Sequence, residues 1–137
     1  MRVVFDTNVL VAALVFPGGR GEKALQRILE ERDELFLSRA ILGELLGVLA
    51  RKFARDAEAL SRVAVFLGEV STLVKPARRV KVLRDDPDNR ILECAAAARA
   101  DLIVTGDEAL LALGEFEGVR VVRLASLINL EPPAPSE

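Results

Sequence analysis

Short apolar runs alternate along this chain with longer stretches in which apolar residues recur every three or four positions. The short runs are typical of buried strands, and five of them occur: Val3–Phe5, Leu35–Leu37, Thr72–Val74, Leu102–Thr105 and Val119–Val122. The stretches between them have the period of α-helices. Strands that alternate with helices predict βαβ units with right-handed crossovers. We therefore predict an α/β fold with a mainly parallel five-stranded sheet and helices on both faces.

The helix boundaries follow from capping and helix-breaking residues. Ser38 and Asp56 are favourable N-caps, and Pro17 stops the first helix. The predicted helices are Thr7–Phe16, Glu22–Arg32, one from Ser38 to about Phe53, one from Asp56 through Val70, one from Asp88 to Arg99, and short ones after Asp107 and Ala125. We expect residues 1–130 to form a single domain and residues 131–137, with three prolines, to form a flexible tail.

The composition fits one soluble domain. The chain has 137 residues, of which 51% are apolar, enough for a core. No apolar run reaches the roughly 18 residues of a membrane span, and no signal-peptide pattern is present. The single cysteine, Cys94, excludes an internal disulfide and is expected to be a buried structural thiol. We expect a cytoplasmic protein without a membrane partner.

The absence of histidine narrows the possible chemistry. Without histidine, and with one cysteine, the chain has neither Ser-His or Cys-His nucleophiles nor a zinc site of the usual ligands. Carboxylate, hydroxyl, lysine and arginine groups remain. Carboxylates prefer hard cations such as Mg²⁺ and Mn²⁺. A site built on this sequence is therefore expected to rest on Asp and Glu.

Four acidic residues are predicted to meet at one edge of the sheet. Asp6 follows the first strand and Asp107 the fourth, so both lie at the carboxyl edge, where α/β folds bind ligands. The helix that starts near Asp88 leads into the fourth strand, so its N-terminus points to the same edge. Glu44 lies on the apolar face of the helix after strand two, with Ala40 and Val48 where a basic partner would be needed.

Each acid also has a structural explanation. Asp88 and Asp107 are suitable N-caps, Asp6 can form an Asx turn, and Glu44 can lie at the border of the buried stripe. The joint pattern favours a site, because like charges brought together raise one another's pKa and a divalent cation relieves the repulsion. Such a cation can activate water for attack on a phosphate.

The charge pattern limits how nucleic acid could bind. The net charge is −2, and Tyr and Trp are absent, so neither a global basic field nor an aromatic platform is available. RNA or DNA would be held through its phosphates. The candidate phosphate-binding residues are Arg20, Lys75, Arg78, Arg79, Lys81 and Arg84. The alternative for the stretch Lys75–Arg84 is a solvated loop.

Six blocks of sequence resemble a known family in its own order. They are Val4-Phe5-Asp6-Thr7-Asn8-Val9-Leu10, Phe16-Pro17-Gly18-Gly19, Leu37-Ser38 with Ile41-Leu42 and Glu44-Leu45, Asp86-Pro87-Asp88-Asn89, Leu92-Glu93-Cys94-Ala95, and Ala100-Asp101-Leu102-Ile103-Val104-Thr105-Gly106-Asp107. Together they span nearly the whole chain. The chain resembles the PIN-domain nucleases, in particular the VapC-like toxin components of bacterial toxin–antitoxin pairs.

This resemblance implies a three-layer α/β/α sandwich and Mg²⁺- or Mn²⁺-dependent cleavage of single-stranded RNA, with one or two ions. The residues that match the family's metal-binding and catalytic acids are Asp6, Glu44, Asp88 and Asp107, and those that match its supporting polar positions are Asn8 and Thr105. Relatives often carry a further acid where this chain has Ala109 and Leu110. The resemblance also implies a protein antitoxin as partner, and relatives commonly form homodimers.

Two other families and one inactive state remain as alternatives. A haloacid-dehalogenase-like phosphatase would use Asp6 as nucleophile, although it usually has a second acid where this chain has Asn8. A phospho-receiver domain would have a lysine after strand five, where this chain has Arg123. A PIN-like scaffold that has lost its activity is the third.

Overall fold

A computed structural model describes residues 1–130. It contains a six-stranded sheet with seven helices around it, and the sheet order is β3-β2-β1-β4-β6-β5. The strands are β1 (Arg2–Phe5), β2 (Glu34–Leu37), β3 (Ser71–Leu73), β4 (Leu102–Val104), β5 (Glu115–Phe116) and β6 (Val119–Val122). The helices are α1 (Thr7–Val15), α2 (Arg20–Leu29), α3 (Arg39–Phe53), α4 (Ala57–Val70), α5 (Asp86–Ala98), α6 (Glu108–Leu113) and α7 (Leu124–Ile128).

The sheet changes direction between β1 and β4. The chain builds outward from β1 through β2 to β3, and α5 then carries it back to β4 on the other side of β1. Five of the strands are parallel, so their carboxyl ends share one edge. In open α/β sheets the crevice at such a switch point is the usual place for a ligand. The residues that follow β1 and β4 therefore occupy the most informative position of the fold.

Both faces of the sheet are covered. Successive strand residues point to opposite faces, and Val3, Val4 and Phe5 are all fully buried. Helix α5 packs across β1, β2 and β4, while α1 contacts β1 and packs against α2 and α3. The predicted mainly parallel sheet in a three-layer sandwich is confirmed. No helix within residues 1–130 has the length and apolar character that crossing a bilayer demands.

The sheet has six strands, so the predicted count of five was wrong. The additional strand β5 is two residues long and pairs with β6 in the antiparallel direction. The turn between them has positive φ at both Glu117 (49°) and Gly118 (85°), the combination of a two-residue type I′ hairpin. Two residues are too few to show the alternation of apolar and polar side chains that predicts a strand, and Gly118 was the only residue that indicated a turn.

The predicted helix caps are largely confirmed. The side chain of Ser38 accepts a hydrogen bond from Ile41 N at 3.3 Å, and that of Asp56 accepts one from Ala59 N at 2.8 Å. Helix α5 begins at Asp86, two residues earlier than predicted, because Pro87 fits the first turn of a helix. Asp88 is therefore inside the first turn and is not an N-cap. The predicted tail, residues 131–137, lies outside the described residues.

Gly21 allows helices α1 and α2 to touch through their backbones. A Cβ atom at this position would lie 2.6 Å from Ala13 N and 2.7 Å from Ala12 C, both main-chain atoms that cannot move alone. We expect Gly21→Ala to lower the free energy of unfolding by about 1–3 kcal/mol, as overpacking usually does. Gly68→Ala is the matched control, because Gly68 lies at an exposed position of α4 and an added Cβ atom would have nothing within 4 Å. It should raise stability by about 0.5–1 kcal/mol. Urea unfolding measures both changes, and equal effects would contradict this account of the contact.

Candidate active site

Asp6 lies at the switch point, and each of its two carboxylate oxygens accepts a hydrogen bond. It is 5% exposed, and its Oδ1 accepts a hydrogen bond from Val9 N at 2.9 Å, which caps α1. Its Oδ2 accepts a hydrogen bond from the hydroxyl of Thr105, on the neighbouring strand's end. Burial raises the pKa of the Asp6 carboxyl, the hydrogen bond from Thr105 partly offsets this, and nearby Asp107 raises it further.

Thr105 connects Asp6 to Asp107. Its Oγ1 accepts a hydrogen bond from Asp107 N at 2.9 Å, which leaves the hydroxyl proton free to be donated to Asp6. Thr105 is fully buried, so this hydroxyl is fixed in place. The carboxylate of Asp107 caps α6 by accepting a hydrogen bond from Leu110 N at 3.0 Å. The ends of β1 and β4 are therefore joined by one network that carries two of the four predicted acids.

Asp88 faces this network from the first turn of α5. Its Oδ2 is buried and has no hydrogen-bond partner within the described residues. Burial, together with the nearby carboxylates of Asp107, Asp85 and Asp6, raises the pKa of Asp88 from 3.8 to about 6. Three of the four acids thus share one electrostatic environment.

Glu44 completes the group from the second turn of α3. Burial raises its pKa, and the charges of Asp6 and Asp85 add to the effect. Arg51, two turns further along α3, partly compensates. Its guanidinium folds back over Gly47, where an added Cβ would lie 2.8 Å from Nη1. The positive charge that compensates Glu44 is thus seven residues away, outside the i±4 positions where the sequence analysis looked for a basic partner.

The four acids share an edge but do not form a closed cation site as they stand. In residues 1–130, no three acidic or cysteine side chains have an arrangement that could hold a metal ion. Two of the acids, Asp6 and Asp107, also cap helices. The donor chemistry nevertheless fits a hard divalent cation, because the group is made of carboxylate oxygens and the Asp88 Oδ2 atom lacks a partner. Closing around an ion requires side chains to rotate.

A fifth acid, Asp85, acts on the cluster, and the predicted supporting residue Asn8 lies at the surface. Asp85 is the N-cap residue of α5 without a side-chain cap bond, and its charge acts on both Glu44 and Asp88. Sequence reasoning missed it, although the run Asp85-Asp86 was visible. Asn8 is exposed, and its side chain forms no hydrogen bond in the described part of the chain. Its predicted supporting role therefore stays a prediction.

The predicted phosphate-binding residues lie in different surroundings. Arg79 and Lys75 line a groove at the carboxyl ends of β2 and β3, together with Arg78, whose guanidinium is ion-paired to Glu117. Three others are exposed and lie outside this groove: Arg20, Lys81 and Arg84. Arg20 begins α2, beyond the whole length of α1. The segment 75–84 is not a free loop, because its residues Val80, Val82 and Leu83 are hydrogen-bonded to α5.

The raised pKa of Asp88 predicts how pH and cations affect stability. The unfolded chain loses this proton near pH 4, whereas the folded protein holds it to about pH 6. Proton binding thus favours the folded state, and the free energy of unfolding falls as pH rises from about 4 to above 6. A divalent cation at a hundred times its Kd stabilises the folded state by about 2.7 kcal/mol. We expect the stabilisation to be larger at about pH 7.5 than at about pH 5, where the proton on Asp88 competes with the cation.

Thermal unfolding in EDTA and in MnCl₂ at both pH values measures this effect. Because other groups also titrate, Asp88→Asn is the reference, and the readout is the difference between it and the wild type. The variant should lose most of the Mn²⁺-induced rise in Tm and part of the pH dependence. Identical curves for the two proteins would contradict the assignment of Asp88.

Fold and site together define a class of protein: a doubly wound α/β domain with an acidic cluster at its switch point. The sequence profile of the PIN domain matches residues 2–109, and the chain belongs to the PIN-domain family. It is 30% identical, over 141 residues, to the uncharacterized protein MJ1680 of Methanocaldococcus jannaschii, with all of this chain and 88% of that one covered.

Several solved structures from bacteria share this fold. They include VapBC2 of Rickettsia felis bound to a DNA fragment from its promoter (TM-score 0.64, 16% identity, 90% of this chain and 98% of that one). VapBC-1 of nontypeable Haemophilus influenzae has a TM-score of 0.60 at 16% identity, covering 91% of this chain and 99% of that one. VapC20 of Mycobacterium tuberculosis, a sarcin-ricin loop cleaving toxin, has a TM-score of 0.59 at 18% identity, covering 86% of this chain and 98% of that one. At these identities the similarity shows the fold alone.

Proposed function

We propose that this protein is a divalent-cation-dependent endoribonuclease that hydrolyses single-stranded RNA, and that it is the toxin of a toxin–antitoxin pair. The observation that carries the proposal is the meeting of acids at the switch point, where Thr105 joins Asp6 to Asp107 and the Oδ2 atom of Asp88 is buried without a hydrogen-bond partner in residues 1–130. Neighbouring carboxylates repel one another, so their placement favours a role with a cation.

The roles of the residues follow from their surroundings. Asp6, Asp88 and Asp107 would hold a Mg²⁺ or Mn²⁺ ion, with Glu44 holding the same ion or a second one. A bound cation supplies Lewis acidity that activates water and neutralises charge developing on the phosphate. Thr105 favours the ionised form of Asp6 and orients it through its hydroxyl. Val9 N–H fixes the other oxygen, so Asp6 has one defined position.

The raised pKa values of Asp6, Glu44 and Asp88 predict that cation binding depends on pH. The carboxyl of Asp88 loses its proton near pH 6, so above that pH the group is ionised and can bind a cation. We therefore expect cleavage at fixed low Mn²⁺ to increase from about pH 5 to about pH 7. Arginine and lysine side chains at the cleft would hold the phosphates that flank the cleaved bond.

The partner proposed for this chain is a protein antitoxin. Two of the solved structures with this fold are VapBC assemblies, and a third is a toxin that cleaves the sarcin-ricin loop. Those are properties of the named proteins, and they support the same roles here without establishing them. A homodimer and a cytoplasmic location belong to the same proposal.

Incubating the purified protein with end-labelled single-stranded RNA tests the activity. Cleavage products that appear with Mn²⁺ or Mg²⁺ and are absent with EDTA are expected. Products that persist in EDTA would contradict the cation requirement. An absence of cleavage with either cation, in protein that unfolds cooperatively, would identify the remaining alternative of an inactive PIN-like scaffold. Membership of the PIN-domain family sets aside the phosphatase and receiver alternatives.

A further inference from the structure

A basic groove lies at the carboxyl ends of β2 and β3. It is a cavity of about 650 Å³ between the start of α3, the end of β3 and the segment that follows β3. Its charged lining consists of Arg39, Lys75, Arg78, Arg79 and Arg90, with Glu93 as the only acid. The volume lies in the range of small-ligand sites. Because the whole chain has a net charge of −2, this local excess of positive charge is not a property of the surface in general.

Three of these cations are available to a ligand. Arg78 is ion-paired to Glu117, and Arg90 to Asp86 and Glu93. The other three, Arg39, Lys75 and Arg79, form no ion pair or side-chain hydrogen bond within residues 1–130, and all are exposed. Long side chains that are charged, exposed and unpaired retain their attraction for a polyanion. The groove therefore concentrates three uncompensated positive charges at one place.

The groove and the acidic cluster lie at the same edge of the sheet. Ser38 and Val74 line the groove directly after β2 and β3, while Asp6 and Asp107 follow β1 and β4. The strand order is β3-β2-β1-β4, and neighbouring strands are about 4.8 Å apart. An extended phosphate chain cleaved at the acids would therefore reach the groove along this edge.

The wall of the groove is held rigidly on α5. The side chain of Asn89, which is 2% exposed, accepts hydrogen bonds from Val82 N (3.1 Å) and Leu83 N (2.8 Å) and donates one to Leu83 O (2.9 Å). Glu93 accepts one from Val80 N at 2.8 Å. These bonds fix the segment that carries Lys75 and Arg79 before any ligand arrives, so less ordering is required on binding.

We propose that this basic groove binds the phosphates on one side of the cleaved bond of a single-stranded RNA, through Arg39, Lys75 and Arg79. The inference rests on the proposed nuclease function and specifies where its substrate lies. No aromatic side chain lines the groove, so bases cannot stack there and recognition is independent of sequence. Arg20, Lys81 and Arg84 lie outside it and are not part of this subsite.

Fluorescence anisotropy in EDTA tests the subsite without cleavage. The probe is a fluorescein-labelled twelve-nucleotide oligouridylate, titrated with wild-type protein and with the triple variant Arg39→Ala/Lys75→Ala/Arg79→Ala. We expect the triple variant to bind at least about tenfold more weakly and to have a log–log salt slope smaller by about 2. The triple variant should lose the same factor in affinity for oligocytidylate as for oligouridylate. The control triple is Lys23→Ala/Lys52→Ala/Arg55→Ala, which removes the same charge from exposed positions outside the groove.

The outcomes separate the two proposals. Equal losses in both triple variants, or no detectable binding by the wild type at low salt, would overturn the groove. Unchanged affinity in the first triple variant, in protein that still cuts RNA with Mn²⁺, would overturn it while leaving the nuclease function in place. Groove-dependent binding in protein that never cuts would reject the nuclease function alone. Binding of an acidic peptide in place of RNA, lost in the first triple variant, would assign the groove to a protein partner and also overturn the proposal.

Discussion

Replacing Asp6 by Asn is expected to reduce RNA cleavage by roughly a thousandfold or more while the protein remains folded. The carboxylate is the central member of the acidic cluster, since its charge acts on both Glu44 and Asp88. Asparagine keeps an oxygen for Val9 N, so the cap of α1 is retained. It also removes a buried charge whose pKa is raised, so stability in EDTA should not fall.

Asp56→Asn is the matched control for this experiment. Asp56 also caps a helix through a carboxylate oxygen, 2.8 Å from Ala59 N, but lies exposed at the start of α4 and belongs to no acidic cluster. Cleavage rates and the Mn²⁺-induced change in Tm are measured for both variants. The control should behave as the wild type does. Wild-type cleavage by Asp6→Asn would refute the role of Asp6, and an equal loss in the control would point to a cause in the fold.

Replacing Arg27 by Met should destabilise the protein by about 3–5 kcal/mol, corresponding to a fall in Tm on the order of 10 °C or more. Arg27 Nε donates to Asp33 Oδ2 at 2.6 Å, and the side chains are 9% and 0% exposed. Methionine fills a similar volume but leaves the buried Asp33 carboxylate with only the N-terminal ammonium of Met1, 3.3 Å from its Oδ1, as a counter-charge. A buried charge that loses its main partner is the costly part of breaking an ion pair.

The double variant Arg27→Met/Asp33→Asn tests that physical reason. Removing both charges should recover a large part of the lost stability, because no buried ion then lacks a partner. Urea unfolding of the two variants and of Asp33→Asn completes a double-mutant cycle. A double variant as unstable as Arg27→Met would indicate that packing around the guanidinium, rather than charge, was lost. The pair lies at the amino edge, so cation binding at the acidic cluster should be unchanged.

Two features of the structure could not be predicted from the spacing of residues along the chain: the buried Arg27 of α2 and the hairpin of β5 and β6. Arg27 is buried while Leu29, an apolar residue at helical spacing, is 48% exposed. The partner that makes Arg27 tolerable is Asp33, six residues on and across a turn, which no helical period connects to it. The hairpin of β5 and β6 was missed for a similar reason, because two residues are too few to show alternation.

The sequence by itself determined the order of the five parallel strands and of the helices, and it predicted carboxylate chemistry at the four acids. These follow from apolar periodicity, from capping residues and from the absence of histidine, all of which are local or compositional properties. They also determined that Asp6 and Asp107 lie at one edge, because parallel strands place their carboxyl ends together.

Only the tertiary structure decided what each of these groups faces. The hydroxyl of Thr105 reaches Asp6 across 99 positions of sequence, Asp85 acts on Glu44 from another helix, and Arg39 and Arg79 meet in one groove. Burial, charge coupling and pairing depend on distances between segments that the chain brings together only on folding. Such distances have no signature in the spacing of residues along it.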